Sequence, residues 1–325
     1  MASPAPLVRV LRSGLEESVH LGHVAVCDPT GRLVAWAGDP DRRVFARSCA
    51  KPLQAAVSLH AAAEDVPSRE LAVMCASHNG EPVHVGAVRA ILERAGLGPE
   101  ALRNPPGWPI DPTSMARAHQ MNRLLQNCSG NHAGMLLACV RAGWDTDAYM
   151  RRSHPLQRRI LRAMRRATGG DDVSIGIDGC GIPVHGVRLR DMATLYARLA
   201  RPELLGDLAE AADRCIEAML AEPYLVAGRD RAETAVMART GDVVVKSGAE
   251  TLECAASLDS GLGVAVKVAD GGSRAGPPSL IAVLSQIEAL HSDHLEDLGR
   301  FAAPLVLGGE EPVGEIVVDL KLRRR

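Results

Sequence analysis

Arg47-Ser48-Cys49-Ala50-Lys51-Pro52-Leu53 is the stretch at which this chain changes period. Before it, Val24, Val26 and Leu33 to Trp36 flank the turn Asp28-Pro29-Thr30-Gly31, a hairpin signal, so the first 40 residues read as strands. After it, from about residue 50 to 220, apolar residues recur at helical spacing. Leu53, Val57 and Ala61 share one face behind Pro52, and Val85, Val88 and Leu92 do so before Gly96, which reads as a C-cap. Met192, Leu195 and Leu199 repeat the pattern before Pro202, and Leu208, Cys215, Ile216 and Met219 mark the next helix. Strands return late. Asp242 to Lys246 is β-branched, Glu253 to Leu258 and Gly263 to Val268 flank Ser260-Gly261, and Gly314 to Lys321 alternates, with a helix from Pro278 to Leu290 between them. Strands at both ends around a helical middle predict an α+β fold with a central, mainly antiparallel sheet. The expected organisation is one catalytic unit over 1–325, with a sheet part about 1–48 and 235–325 and a helical part about 49–234.

Composition narrows the function. The chain has 325 residues, 46% hydrophobic and 23% charged, with formal net charge −2, the profile of an ordinary globular protein. Near-neutral charge and only eight aromatic residues argue against a nucleic-acid binder. The arginine-rich stretch 151–166 carries Leu156, Ile160 and Met164 at helical spacing, so its arginines read as a solvated face. No apolar run approaches the ~20 residues of a membrane span, and no secretory signal is evident, so a cytoplasmic location is the expectation. The eight cysteines then read as free thiols or ligands. Of 37 basic residues only Lys51, Lys246, Lys267 and Lys321 are lysines. In a chain that otherwise uses arginine, these mark candidate positions for a group that can lose its proton, which guanidinium does not.

Two of those lysines sit beside serines. Ser48 and Lys51 are three apart at a helix start, on one side of it, where the helix N-terminus favours an alkoxide. Val243 to Gly248 is a strand ending in Lys246-Ser247-Gly248, the shape of an active-site edge that complements S-x-x-K in serine acyltransferases. A third stretch, Cys75-Ala76-Ser77-His78-Asn79-Gly80-Glu81, leaves an apolar run and reads either as a site loop or as the start of a helix. Asn127-Cys128-Ser129-Gly130-Asn131-His132 precedes an apolar helix, and Ile177-Asp178-Gly179-Cys180-Gly181 is a Gly-rich turn. Cys128 and Cys180 with one further donor would make a small metal site, although neither lies in a C-x-x-C pair.

These motifs, in this order, resemble the asparaginase II family, the class 3 asparaginases typified by the inducible rhizobial enzyme. The resemblance runs from Glu17-Ser18-Val19-His20 through the stretches above to Val268-Ala-Asp-Gly-Gly-Ser-Arg274. It implies a fold similar to serine β-lactamases and penicillin-binding proteins, a homodimer, and hydrolysis of L-asparagine to aspartate and ammonia without an organic cofactor. Two Ser–Lys tandems in the family map onto Ser48–Lys51 and Ser77–Lys246. Arg47 and Asp178 match residues placed around the substrate, and His78 and Asn79 are assigned to substrate binding with them. The family's zinc is held by two cysteines and a lysine. The cysteines match Cys128 and Cys180, but the lysine position is Asn131. An amide offers a carbonyl oxygen and no neutral amine, so zinc binding and substrate choice both turn on this residue.

The expected mechanism has Lys51 deprotonating Ser48, which attacks the side-chain amide, while Ser77 and Lys246 relay a proton to the departing ammonia. Arg47 would grip the substrate's α-carboxylate, Asp178 its ammonium, and backbone N–H groups the oxyanion. Two rival readings are a serine amidase or amide-forming cyclase with another substrate, and a non-catalytic binding protein on the same fold. Neither a nucleic acid nor a membrane is expected as a partner.

Overall fold

The alternating ends of the chain do form strands in the computed structural model, which describes residues 2–325. The strands are β1 (Ala5–Arg12), β2 (Leu15–Cys27), β3 (Leu33–Ala37), β4 (Arg43–Phe45), β5 (Ser174–Ile177) and β6 (Pro183–Arg188). They continue with β7 (Val243–Gly248), β8 (Leu252–Ser257), β9 (Gly263–Val268), β10 (Leu305–Gly308), β11 (Glu311–Val318) and β12 (Arg323–Arg324). The chain forms two compact units. Unit 1 comprises Met1–Cys49, Gly186–Arg201 and Arg239–Arg325, and unit 2 comprises Ala50–His185 and Pro202–Ala238.

Unit 1 holds a sheet in the order β10-β11-β1-β2-β9-β8-β7, with β3 also paired to β2 and β12 to β3. These pairings are antiparallel. Both chain ends therefore contribute neighbouring strands, as the α+β reading expects. The hairpin at Asp28 to Gly31 is closed by Asp28 N–H to Arg32 O and Gly31 N–H to Asp28 O, at 3.1 and 3.0 Å. A separate short pairing joins Arg43, Val44 and Phe45 to Arg188, Val187 and Gly186.

The helix Leu189–Leu199 belongs to this sheet unit, not to the helical middle to which spacing alone assigns it. Periodicity identifies the helix but not the surface it covers. Its partner is set by Gly263 at the start of β9, where a Cβ would lie 1.9 Å from Ala193 O and 2.3 Å from Ala197 N. Only glycine permits that approach. Within the late strands, β9 has the predicted ends, whereas β11 begins three residues before the expected Gly314 and leaves Lys321 outside it.

Unit 2 is helical. Lys51–Ala62 is its centre and packs on Ser129–Arg141, Pro155–Thr168 and Ala209–Ala221, with Ser68–Met74 also against it. Every residue from Lys51 to Leu59 is buried, and the side chains after Pro52 are mostly alanine, leucine and valine. With so few aromatics, close helix approach supplies the core contacts that large rings would otherwise make. Pro52 falls in the first turn, where its missing N–H costs nothing. In Pro155–Thr168, Leu156, Ile160 and Met164 are buried and the arginines face solvent. Among the described residues no helix is long and apolar enough to cross a membrane, and all eight cysteines are free and buried.

Candidate active site

In unit 2 several of the site residues expected from sequence gather around Lys51. The helix Ser68–Met74 runs into Cys75, and the chain then leaves the helix as an extended segment until Pro82–Arg94 begins. That turn brings residue 77 back to residue 51. Lys51 Nζ donates to Ala76 O at 2.7 Å and to Ser77 Oγ at 2.9 Å, with both side chains buried. Ser77 is itself held by Ser77 N–H to Val226 O, 3.1 Å. The lysine bonded to Ser77 is thus Lys51, 26 residues earlier in the chain, a pairing that spacing does not reveal.

His78 and Asn79, assigned to substrate binding from sequence, are buried with their polar atoms bonded to other parts of unit 2 and to Gly80. Gly80 N–H donates to His78 Nδ1 at 3.0 Å, which leaves the proton on Nε2, 2.9 Å from Ser129 Oγ. Ser129 Oγ–H in turn donates to Leu124 O at 2.8 Å. Burial, with the neighbouring His84, Lys51 and Arg231, pushes His78 well below the ordinary imidazole range. Asn79 Nδ2 donates to Arg229 O at 2.9 Å, and its Oδ1 accepts from Arg231 Nη1 at 3.1 Å. Both residues brace the segment that presents Ser77. Arg231, which also pairs with Glu233 at 2.8 Å, is a contributor that sequence reading missed. One arginine among 33 carries no signal of its own.

On its other side Lys51 faces thiols. The Cys180 thiol and the Lys51 ammonium draw Cys128 down to about 5, against the opposing effect of burial, and Cys180 is held protonated by its neighbour. Cys180 lies in the tight turn closed by Gly181 N–H to Asp178 O at 2.9 Å, and Asp178 Oδ1 accepts from Gly179 N–H at 2.7 Å. Asn131 Nδ2 donates to Met74 O at 3.0 Å, but its buried Oδ1 has no partner. His132 Nδ1 lies 2.7 Å from Tyr149 Oη, and its Nε2 is likewise buried without one. Burial, reinforced by Lys51, pushes His132 down to about 3.

This donor set does not fit the zinc site that the family resemblance implies. Two sulfurs are present, but among the described residues no group of three or more His, Cys, Asp or Glu side chains could hold a metal. The third position supplies only an amide oxygen.

Unit 1 presents the other half of the sequence motifs. Arg47–Ala50 is a 3₁₀ turn leading directly into Lys51–Ala62, and Arg47 has φ +45°, a strained value for a residue with a side chain. Arg47 and Ser48 are half-buried. Cys49 Sγ donates to Lys246 O at 3.1 Å and Leu252 O at 3.3 Å, tying the turn to the end of β7 and the start of β8. Tyr196 Oη donates to Cys49 O at 2.9 Å. Gly248 eases this tie, because a Cβ there would crowd Cys49 Sγ at 3.1 Å and touch Arg47 Cβ at 3.4 Å. Gly248 thus makes room for the turn that carries Ser48. Lys246 is fully buried and its Nζ donates to Ser247 O at 2.8 Å.

A family model described as L-asparaginase II matches residues 8–318. No curated protein matches the chain. Among solved structures, a β-lactamase from Mycobacterium bovis is 16% identical with TM-score 0.46, over 82% of this chain and 94% of that one. A probable glutaminase is 18% identical with TM-score 0.46, over 82% and 85%. A probable glutaminase from Bacillus subtilis, solved with 6-diazo-5-oxo-L-norleucine, is 14% identical with TM-score 0.39, over 82% and 84%.

Proposed function

This chain belongs to the L-asparaginase II family, hydrolases acting on amides, and from that premise we propose that it releases ammonia from L-asparagine through a serine acyl-enzyme. The observation that carries the reading is the buried Lys51, its Nζ 2.9 Å from the Ser77 hydroxyl. A lysine in that setting is a proton carrier with its next partner already in place.

Ser48 Oγ attacks the side-chain amide carbon as Lys51, in its amine form, takes the hydroxyl proton. Lys51 passes a proton to Ser77, and Ser77 to the amide nitrogen as the C–N bond breaks and ammonia leaves. Lys246 serves the same relay. Water then adds to the ester by the reverse proton path and releases aspartate. Arg47 holds the α-carboxylate through its planar fork, and Asp178 holds the ammonium. His78 and Asn79 act by fixing the Ser77 segment. No step passes through a metal.

A second reading, with Ser77 as the nucleophile and Lys51 as its direct base, is favoured by the same 2.9 Å contact. Trapping the acyl-enzyme separates them. Denaturing mass spectrometry after mixing with an asparagine-derived electrophile should place the adduct on Ser48 and lose it in Ser48→Ala. An adduct retained in Ser48→Ala and lost in Ser77→Ala transfers the role to Ser77. Ammonia release from other amides but not from asparagine would replace the substrate.

A further inference from the structure

A cavity of about 780 Å³ is contained within unit 2, and no residue lining it acts in the reaction above. One wall is the helix Pro82–Arg94, which lines it with Pro82, Val85, Gly86 and Arg89, the i, i+3, i+4, i+7 face. The other wall comes from the stretch between Asp111 and Leu125, which includes the short helix Pro112–Arg117. The volume falls inside the range of small-molecule pockets, roughly 300–1,000 Å³.

Three features distinguish this cavity from an ordinary surface hollow. The first is Gly86, because a glycine inside a helix weakens it and usually answers a close neighbour. In Ser129–Arg141, a Cβ on Gly130 would lie 2.2 Å from Val73 O, and one on Gly134 2.6 Å from Met74 Cε. A Cβ on Gly86 would meet nothing within 4 Å, so the missing side chain leaves open space and not room for another part of the protein. The second is charge. Among the described residues Arg89 and Arg117 form no ion pair, and Arg229 approaches Glu81 only to 3.9 Å. Both carboxylates on the walls are engaged within the fold. Asp111 accepts from Ser114 N–H at 2.6 Å, and Glu81 from Tyr224 Oη at 2.5 Å and Arg229 N–H at 3.0 Å. The Ser114 contacts, with Arg229 and Arg117 at longer range, hold Asp111 below the ordinary carboxylate range. Three arginines against two carboxylates leave one positive charge. The third is apolar surface. Val85 and Leu125 line the cavity, and residues 108–121 carry Trp108, Ile110, Met115 and Met121. These are four of the thirteen large apolar side chains that the described residues leave exposed, a concentration that marks an interaction site.

We propose that this cavity binds an amphipathic monoanion, a carboxylate carried on an apolar chain. Arg89 and Arg117 hold the carboxylate through their planar forks, and the chain lies against Val85, Leu125 and the open face at Gly86. Charge and surface together select this class. An inorganic anion would leave the apolar walls uncovered, and an apolar cation would meet guanidiniums with no counter-charge. The residues involved are separate from the Ser–Lys machinery, so the site stands whether or not asparagine is the substrate.

Titration calorimetry of the full-length protein with octanoate tests this without turnover. Octanoate should bind at one site per chain, and shorter carboxylates should bind more weakly, by up to about fourfold per methylene removed. Octylamine should not bind. Gly86→Leu puts a side chain into the open space and suits a helix better than glycine. It should therefore keep or raise the urea midpoint while weakening octanoate about tenfold or more. Arg89→Gln and Arg117→Gln should each weaken octanoate about two- to fivefold, the size of an exposed ion pair. Arg158→Gln, on the exposed face of Pro155–Thr168, should leave it unchanged. The proposal is overturned by no octanoate binding, by equal binding of octylamine, by binding indifferent to both arginine variants, or by undiminished binding in a folded Gly86→Leu. Octanoate binding that disappears as chain concentration rises, with a doubling of mass in light scattering, overturns it too and assigns the face to a second copy.

Discussion

Residues 77–81 and 128–132 are two polar, buried segments of unit 2, joined by the His78–Ser129 contact, and they spend much of their polarity differently. In the first, Ser77, His78 and Asn79 are bonded as described, and Glu81 accepts from Tyr224 Oη at 2.5 Å and Arg229 N–H at 3.0 Å. In the second, Ser129 is bonded to His78 and Leu124, but Asn131 Oδ1 and His132 Nε2 are buried without a protein partner, and the thiols of Cys128 and Cys180 lie near Lys51. Satisfied polar groups hold a geometry, whereas unsatisfied ones hold none. The first segment is therefore scaffold for Ser77, and in the second Asn131 and His132 are left with bonding capacity the fold does not use.

That contrast can be broken most readily at His78. Replacing it with Ala strands Gly80 N–H, frees Ser129 Oγ and opens a cavity, so the protein should lose about 2–4 kcal/mol in urea denaturation. A loss below 0.5 kcal/mol, on the order of a surface change, would make the loop functional and not structural. Next in size is the response to acid. His78, His132 and His185 are all held neutral in the fold by burial, His132 at about 3 and His185 at about 4. The unfolded chain binds protons near the ordinary histidine value of about 6.5, so it gains protons first as pH falls. Stability should be level above about pH 7 and decline from about 6.5 toward 3, and His185→Asn should flatten part of that slope. A urea midpoint equal at pH 8 and pH 5 would contradict the burial of these rings as neutral groups.

Smaller effects are expected in the second segment. Asn131→Ala removes one hydrogen bond and one orphaned oxygen together, and should cost about 1 kcal/mol or less. It should change the ranking among asparagine, glutamine and other amides more than it changes stability. Asn131→Lys restores the donor that the family's zinc site requires. Elemental analysis of that variant should show more zinc per chain than the parent, and equal zinc in both would place metal binding outside Cys128, Cys180 and residue 131.

The same contrast explains what could be read from sequence. Period alone locates the helix Lys51–Ala62, the hairpin at Asp28 to Gly31 and the ends of β9, because local backbone and burial pattern agree there. It misplaces Leu189–Leu199, since a helical stripe does not say which surface it covers and the Gly263 contact that decides is 70 residues away from Ala193. The rarity of lysine singles out Lys51 and Lys246, but not which serine each meets. The Lys51–Ser77 bond depends on the turn after Met74. The bonding of His78 and Asn79 is illegible for a similar reason: a polar loop looks alike in sequence whether its atoms bond to the protein or to a ligand.

The central claim, that Lys51 works as a proton carrier between serines, is tested most directly by ammonia release from L-asparagine in Lys51→Arg. Arginine keeps the charge and cannot give up its proton, so the folded variant should lose about 10²- to 10⁴-fold in kcat. A folded Lys51→Arg protein with parental kcat would show that Lys51 contributes only charge, and the Ser–Lys account would be wrong.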